Sequence, residues 1–177
     1  MSSSINTEYL PTLSNPVMVV PHQRITGKWS CLIATYSSEA VATLTKAAES
    51  AGWGMHVCGD VASALKTMCR QQIKLAFIDF ASCDESQIGT YKKLVEHISW
   101  IGGVLVVANG PSSCSTPDEV RDQEELERWV REAGVWSYLP GRSENAELRE
   151  LFEQGLEIVR KLNGAAPAKD HALRTQN

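Results

Sequence analysis

A carboxylate at the end of an apolar run is the first feature of this chain with chemical potential. Asp79 comes near the end of Ile73 to Phe80 (IKLAFIDF), which is almost wholly apolar up to that position. A carboxylate placed there either takes part in chemistry or caps a neighbouring loop through hydrogen bonds. Five cysteines, Cys31, Cys58, Cys69, Cys83 and Cys114, show no CxxC and no Cys/His ligand spacing. Cys83 and Cys114 fall in polar segments where a redox or metal role is conceivable, but no spacing supports one. His22, His56, His97 and His171 are scattered and form no metal-spaced pair. There is no Gly-x-Ser-x-Gly elbow, and nothing pairs a nucleophile with its base. Gly102-Gly103 precedes an apolar run instead of following one, so it cannot cradle a phosphate at a helix start. Asn109-Gly110-Pro111 does follow an apolar run, and a turn is its simpler reading. The chain is therefore expected not to be an enzyme and to hold no metal or cofactor.

The elements that must position Asp79 alternate regularly. Ser30 to Thr35 (SCLIAT) reads as a first buried strand. Ser37 or Ser38 caps a helix to Ala51, with Val41, Leu44, Ala48 and Ala51 at helical spacing and Gly52 as its stop. Gly54 to Cys58 is a second strand, and Asp60 caps a helix with Ala64, Leu65 and Met68 on one face. Asp79 then ends the third strand. Tyr91, Leu94, Val95 and Ile98 mark a third helix, and Gly103 to Ala108 a fourth strand. Leu126, Trp129, Val130 and Ala133 mark a fourth helix, and Val135 to Leu139 a fifth strand. Leu148, Leu151, Phe152, Leu156, Val159 and Leu162 mark the last helix.

Five strand-helix units with strands apolar on both faces predict a parallel sheet covered on both sides. The expected class is α/β, a flavodoxin-like three-layer sandwich with strand order 2-1-3-4-5. Function in such a sheet sits at the carboxyl ends of the strands, which singles out Thr35, Tyr36, Asp79, Asn109 and Gly141.

Over roughly Lys28 to Leu162 this pattern resembles the receiver domain of bacterial response regulators. Leu75-Ala76-Phe77-Ile78-Asp79 looks like the strand that ends in the family's phosphorylated aspartate. Gly134 to Leu139 resembles its fifth strand, and Tyr138 matches its switch aromatic. The resemblance implies two-component signal transduction. It also implies an acidic pair for Mg²⁺, a hydroxyl after strand four and a lysine after strand five. Here Thr35 and Tyr36 stand for the acids, with Glu39 nearby. Ala108 or Asn109 stands for the hydroxyl, and Gly141 for the lysine, followed by Arg142. Phe80-Ala81-Ser82 replaces the family's Met-Pro. The expectation is a degenerate member, a pseudo-receiver, in which Asp79 is a vestigial phosphoacceptor that accepts hydrogen bonds from Thr35 or Asn109. The alternatives are an atypical phosphorylatable receiver using Asp79, and a flavodoxin-like domain that binds a small molecule.

Composition narrows the partners. Of the 177 residues 43% are apolar, which excludes wholesale disorder. With 17 basic and 21 acidic side chains the net charge is −4, so nothing points to nucleic acid. The longest apolar runs are far too short to span a bilayer, and Met1 to Asn6 lacks a signal-peptide layout. Scattered thiols fit a reducing cytoplasm. Residues 1–27, with Pro11, Pro16 and Pro21, read as a partly ordered arm whose one apolar stretch is Val17 to Val20. Residues 28–163 form the domain and 164–177 a flexible tail. Asn109 to Arg121 is longer than the resemblance needs, and Thr116-Pro117-Asp118-Glu119 reads as a capping box for an extra helical turn. Trp129 and Trp136 are expected to mark a face of fourth helix, fifth strand and last helix for a protein partner or a dimer.

Overall fold

The computed structural model describes residues 29–111, 116–141 and 143–164. Apolar strands alternate with amphipathic helices, and each helix starts on a polar cap. The strands are β1 (Ser30–Ala34), β2 (Gly54–Cys58), β3 (Ile73–Asp79), β4 (Leu105–Gly110) and β5 (Ser137–Pro140). The helices are α1 (Ser38–Ser50), α2 (Val61–Arg70), α3 (Glu85–Ile101), α4 (Pro117–Glu132) and α5 (Asn145–Leu162). A 3₁₀ turn, Phe80–Ser82, follows β3. Ser37 caps α1, Asp60 caps α2, and Asp84 forms a capping box with Gln87 on α3.

All strand pairs are parallel and the order is β2-β1-β3-β4-β5, as expected for the flavodoxin-like class. Side chains alternate across the strands and divide the core into two layers. Leu32, Ala34, Ala76 and Ile78 face α2, α3 and α4, where Leu94, Val95, Ile98 and Val130 meet them. Cys31, Ile33, Leu75 and Phe77 face α1 and α5, where Leu44, Phe152, Leu156 and Val159 meet them. Trp53 is fully buried and its indole nitrogen donates to the Phe152 carbonyl at 2.9 Å, tying the end of α1 to α5. Gly155 lets α5 approach the sheet, since a Cβ there would stand 2.6 Å from Leu75 Cδ1. Among the described residues no helix is long and apolar enough to cross a membrane.

Four expectations need correction. The fourth strand runs Leu105–Gly110 instead of Gly103–Ala108, because Gly102 and Gly103, at φ 72° and 70°, make the turn out of α3. The Thr116–Glu119 capping box, with Pro117 in the first turn, opens α4 itself and adds no separate helical turn. Of the expected long loop from Asn109 to Arg121, Asn109 and Gly110 belong to β4 and residues 117–121 to α4. Leu162, counted with the apolar stripe of the last helix, is 75% exposed in its final turn. The arm and the tail, residues 1–27 and 164–177, lie outside the described residues except at Gly164, and so do Cys114 and Arg142.

Candidate functional site

Strand register brings the site residues together. Asp79 pairs with Asn109 across β3 and β4, and Ala34 pairs with Ile78 across β1 and β3. Thr35 therefore follows β1 beside Asp79, with its amide held by the Cys58 carbonyl at 3.1 Å. Thr35 and Asp79 are 3% and 2% exposed, the two buried polar side chains among the described residues.

They are hydrogen-bonded to each other and to neighbouring groups. Thr35 Oγ1 donates to Asp79 Oδ2 at 2.6 Å, and Asn109 Nδ2 donates to Asp79 Oδ1 at 2.9 Å. The Ser37 amide donates to Thr35 Oγ1 at 3.0 Å. Ser82 Oγ donates to the Asp79 carbonyl at 3.0 Å and accepts from the Tyr36 amide at 3.0 Å. Each hydroxyl has one proton, so with both protons committed the 3.3 Å approach of Thr35 and Ser82 is a contact only. The result is a closed polar knot that holds the ends of β1, β3 and β4 together.

Tyr36 turns away from this knot. Its ring stacks on Tyr91 of α3, with centroids 5.2 Å apart and planes 19° apart. Tyr91 meets Phe80 edge-on at 5.9 Å, Phe80 meets Trp129 edge-on at 6.3 Å, and Lys92 Nζ lies 5.2 Å from the Trp129 ring centre. Burial, and then the acidic groups Cys83, Asp60 and Asp84, push the Tyr36 phenol up. Burial, followed by the Asp79 and Asp84 carboxylates, pushes the Cys83 thiol up to about 12. A thiol so held stays protonated and unreactive near neutrality.

The remaining expected positions sort by face. Ala108 is buried in the α2–α3–α4 layer and points away from Asp79, so Asn109 is the residue that reaches the site. Gly141 sits just beyond β5 at φ 92° and its amide donates to the Gly110 carbonyl at 3.2 Å. Tyr138 is half-buried with its hydroxyl against Gly110, where any Cβ would collide with it. Trp129 and Trp136 do not share a face. Trp129 packs with α3 and α4 on one layer, and Trp136 packs against the α1–α5 layer on the other. Trp136 precedes β5, so the two-residue alternation of the strand does not carry its side chain to the side of Tyr138. Ser82 was not singled out by spacing. Its only signal was a small hydroxyl three residues after Asp79.

A cleft of about 740 Å³ opens over the knot, between the starts of α1 and α5. Glu39 and Thr43 line it on one side, Glu144 and Asn145 on the other, and Asp79 and Asn109 form part of its floor. Mg²⁺ does not fit the knot. Position 35 is a neutral hydroxyl bonded to Asp79 and position 36 is a ring stacked on α3, so Asp79 has no second carboxylate beside it to share a cation. Among the described residues no group of three His, Cys, Asp or Glu side chains converges on a metal position.

No family model matches the sequence, and no curated protein matches it. Solved structures match the fold. A response regulator receiver domain protein from Methanospirillum hungatei superposes with a TM-score of 0.58 at 14% identity, over 76% of this chain and 98% of its own. A response regulator from Thermotoga maritima gives 0.58 at 14% identity, over 73% and 98%. An orphan response regulator of H. pylori gives 0.54 at 17% identity, over 75% and 97%. The chain has the receiver fold. At these identities the likeness speaks for the fold, and the receiver-like chemistry has to be judged on the knot around Asp79.

Proposed function

We propose that this chain is a non-catalytic receiver-type signalling module that acts by binding a protein, without Mg²⁺-dependent phosphorylation of Asp79. The observation that carries this reading is the pair of hydrogen bonds from Thr35 and Asn109 to the two Asp79 oxygens. Phosphoryl transfer to Asp79 would have to break a buried, charge-assisted hydrogen bond. It would also place an aspartyl phosphate where no described cation offsets its charge and no acid pair stands to hold Mg²⁺. The knot takes the place of a switch: it joins the strand ends in one state.

Output then depends on the surface. The edge strand β5 is half-buried over Ser137 to Leu139, and α4 beside it carries Trp129 under Lys92. A protein partner or a second copy on the α4–β5–α5 side is the reading these features support. The setting proposed is cytoplasmic signalling with no nucleic-acid or membrane role. Incubating the full chain with acetyl phosphate and Mg²⁺ and measuring intact mass tests the proposal. No adduct is expected. A labile phosphoryl adduct that Asp79→Ala abolishes would instead establish an atypical phosphorylatable receiver.

A second reading is favoured by the cleft. Asn109 Oδ1 is buried there without a hydrogen-bond partner among the described residues, an acceptor left for a small molecule that carries a donor. Native mass spectrometry of the freshly purified full chain decides it. A retained small molecule lost with Asn109→Ala supports this reading, and its absence supports the first.

A further inference from the structure

Two large apolar side chains that are exposed stand next to each other on the domain. Trp100 is 84% exposed and Ile101 51% exposed, at the last turn of α3. The buried stripe of α3 is Tyr91, Leu94, Val95 and Ile98. Trp100 lies two residues past Ile98, about 200° around the helix, and so points away from the core. Its platform is rigid. Ser99 Oγ donates to the Ala133 carbonyl at 3.0 Å, and the Gly102 amide closes the helix on the Ile98 carbonyl at 3.1 Å. The His97 ring stands 6.4 Å from the indole, tilted by 32°.

This patch lies at the edge where the chain enters the sheet. The end of α3 leads through two glycines into the start of β4, and in a parallel sheet every strand starts at that same edge. Trp29 precedes β1 there, with its carbonyl accepting from the Gly54 amide at 2.9 Å. Residues 1–28 come before it, and their one apolar stretch is Val17-Met18-Val19-Val20, bracketed by Pro16 and Pro21. The segment from Pro21 to Lys28 spans up to about 26 Å when extended. The path needed is shorter: β1 and β4 are two strands apart, about 10 Å, and the helix layer adds about 10 Å more. The sequence beyond Asn163 offers no comparable apolar run.

We propose that Val17 to Val20 packs across Trp100 and Ile101, so that the arm covers the end of α3 within the same molecule. The arm's apolar run and the exposed indole then remove each other from water. It also anchors the chain below the sheet, at the opposite edge from the knot around Asp79. The test uses the full chain. The emission of Trp100 alone is taken as the difference between wild type and Trp100→Phe, and its acrylamide quenching is measured at several protein concentrations. The expected result is a shielded, blue-shifted component, independent of concentration. It should become several-fold more quenchable in the Val17→Asp/Val19→Asp variant. Trp100 equally quenchable with and without the intact arm overturns the proposal. Shielding that appears only as concentration rises also overturns it, and assigns the patch to a second copy instead.

Discussion

The hydroxyl of Thr35 donates to the carboxylate of Asp79 at 2.6 Å, across the junction of β1 and β3. An acid at position 35 would repel Asp79 and share a cation with it; a threonine satisfies Asp79 directly. The adjacent Tyr36 then stacks on Tyr91, away from the site, and begins the ring contacts that pass through Phe80 to Trp129.

Thr35→Val keeps the shape and removes the donor. It leaves a buried carboxylate oxygen short of a partner, and the expected loss of stability is about 1–3 kcal/mol. Urea unfolding measures it. A loss indistinguishable from zero would mean that the bond does not hold the strand ends.

Thr35→Asp restores an acid beside Asp79. Two carboxylates in contact repel, so the variant should melt below wild type in chelator. Millimolar Mg²⁺ should then raise its melting temperature by mass action, while wild type stays unchanged. Thermal scans with and without Mg²⁺ check both halves.

Gly110→Ala forces a methyl group into the Tyr138 hydroxyl. Overpacking of this kind costs about 1–3 kcal/mol. Adding Tyr138→Ala should recover part of the loss, so the two changes should be non-additive in a double-mutant cycle.

Alkali should unfold the protein in part through Cys83. Its thiol is raised from 9.0 to about 12, so the folded state holds a proton that the unfolded state releases. The stabilisation is fully present below about pH 9 and is lost as pH rises towards about 12. The buried Tyr91 phenol, raised by burial, acts in the same direction. Unfolding free energies measured from pH 8 to 11 should fall less steeply in Cys83→Ala than in wild type.

Much of this was legible in one sequence. Strand-helix alternation and two-sided apolar strands imply a doubly covered parallel sheet, and the caps at Asp60 and Thr116 sit where their side chains and spacing place them. Asp79 at a strand end, with Thr35 and Asn109 as its hydrogen-bond candidates, follows from the same pattern because the strand ends meet on one edge. Periodicity is a local signal, however, and says little about where a strand starts or which way a ring turns. The two-residue shift of β4, which moved Asn109 into the strand and towards Asp79, depended on the positive φ of Gly102 and Gly103.

What the amino-acid order determined by itself is the set of elements and the chemistry absent from their ends: no acid follows β1, and no lysine stands at position 141. What only the tertiary structure decided is how those ends are used. Thr35 and Asn109 both bind Asp79 at once, since parallel register delivers them to opposite sides of β3. Ser82 joins them because a 3₁₀ turn folds it back, and Trp129 and Trp136 part to opposite layers because one lies on a helix and the other just ahead of a strand. These outcomes depend on contacts between residues far apart in sequence, which no local pattern encodes.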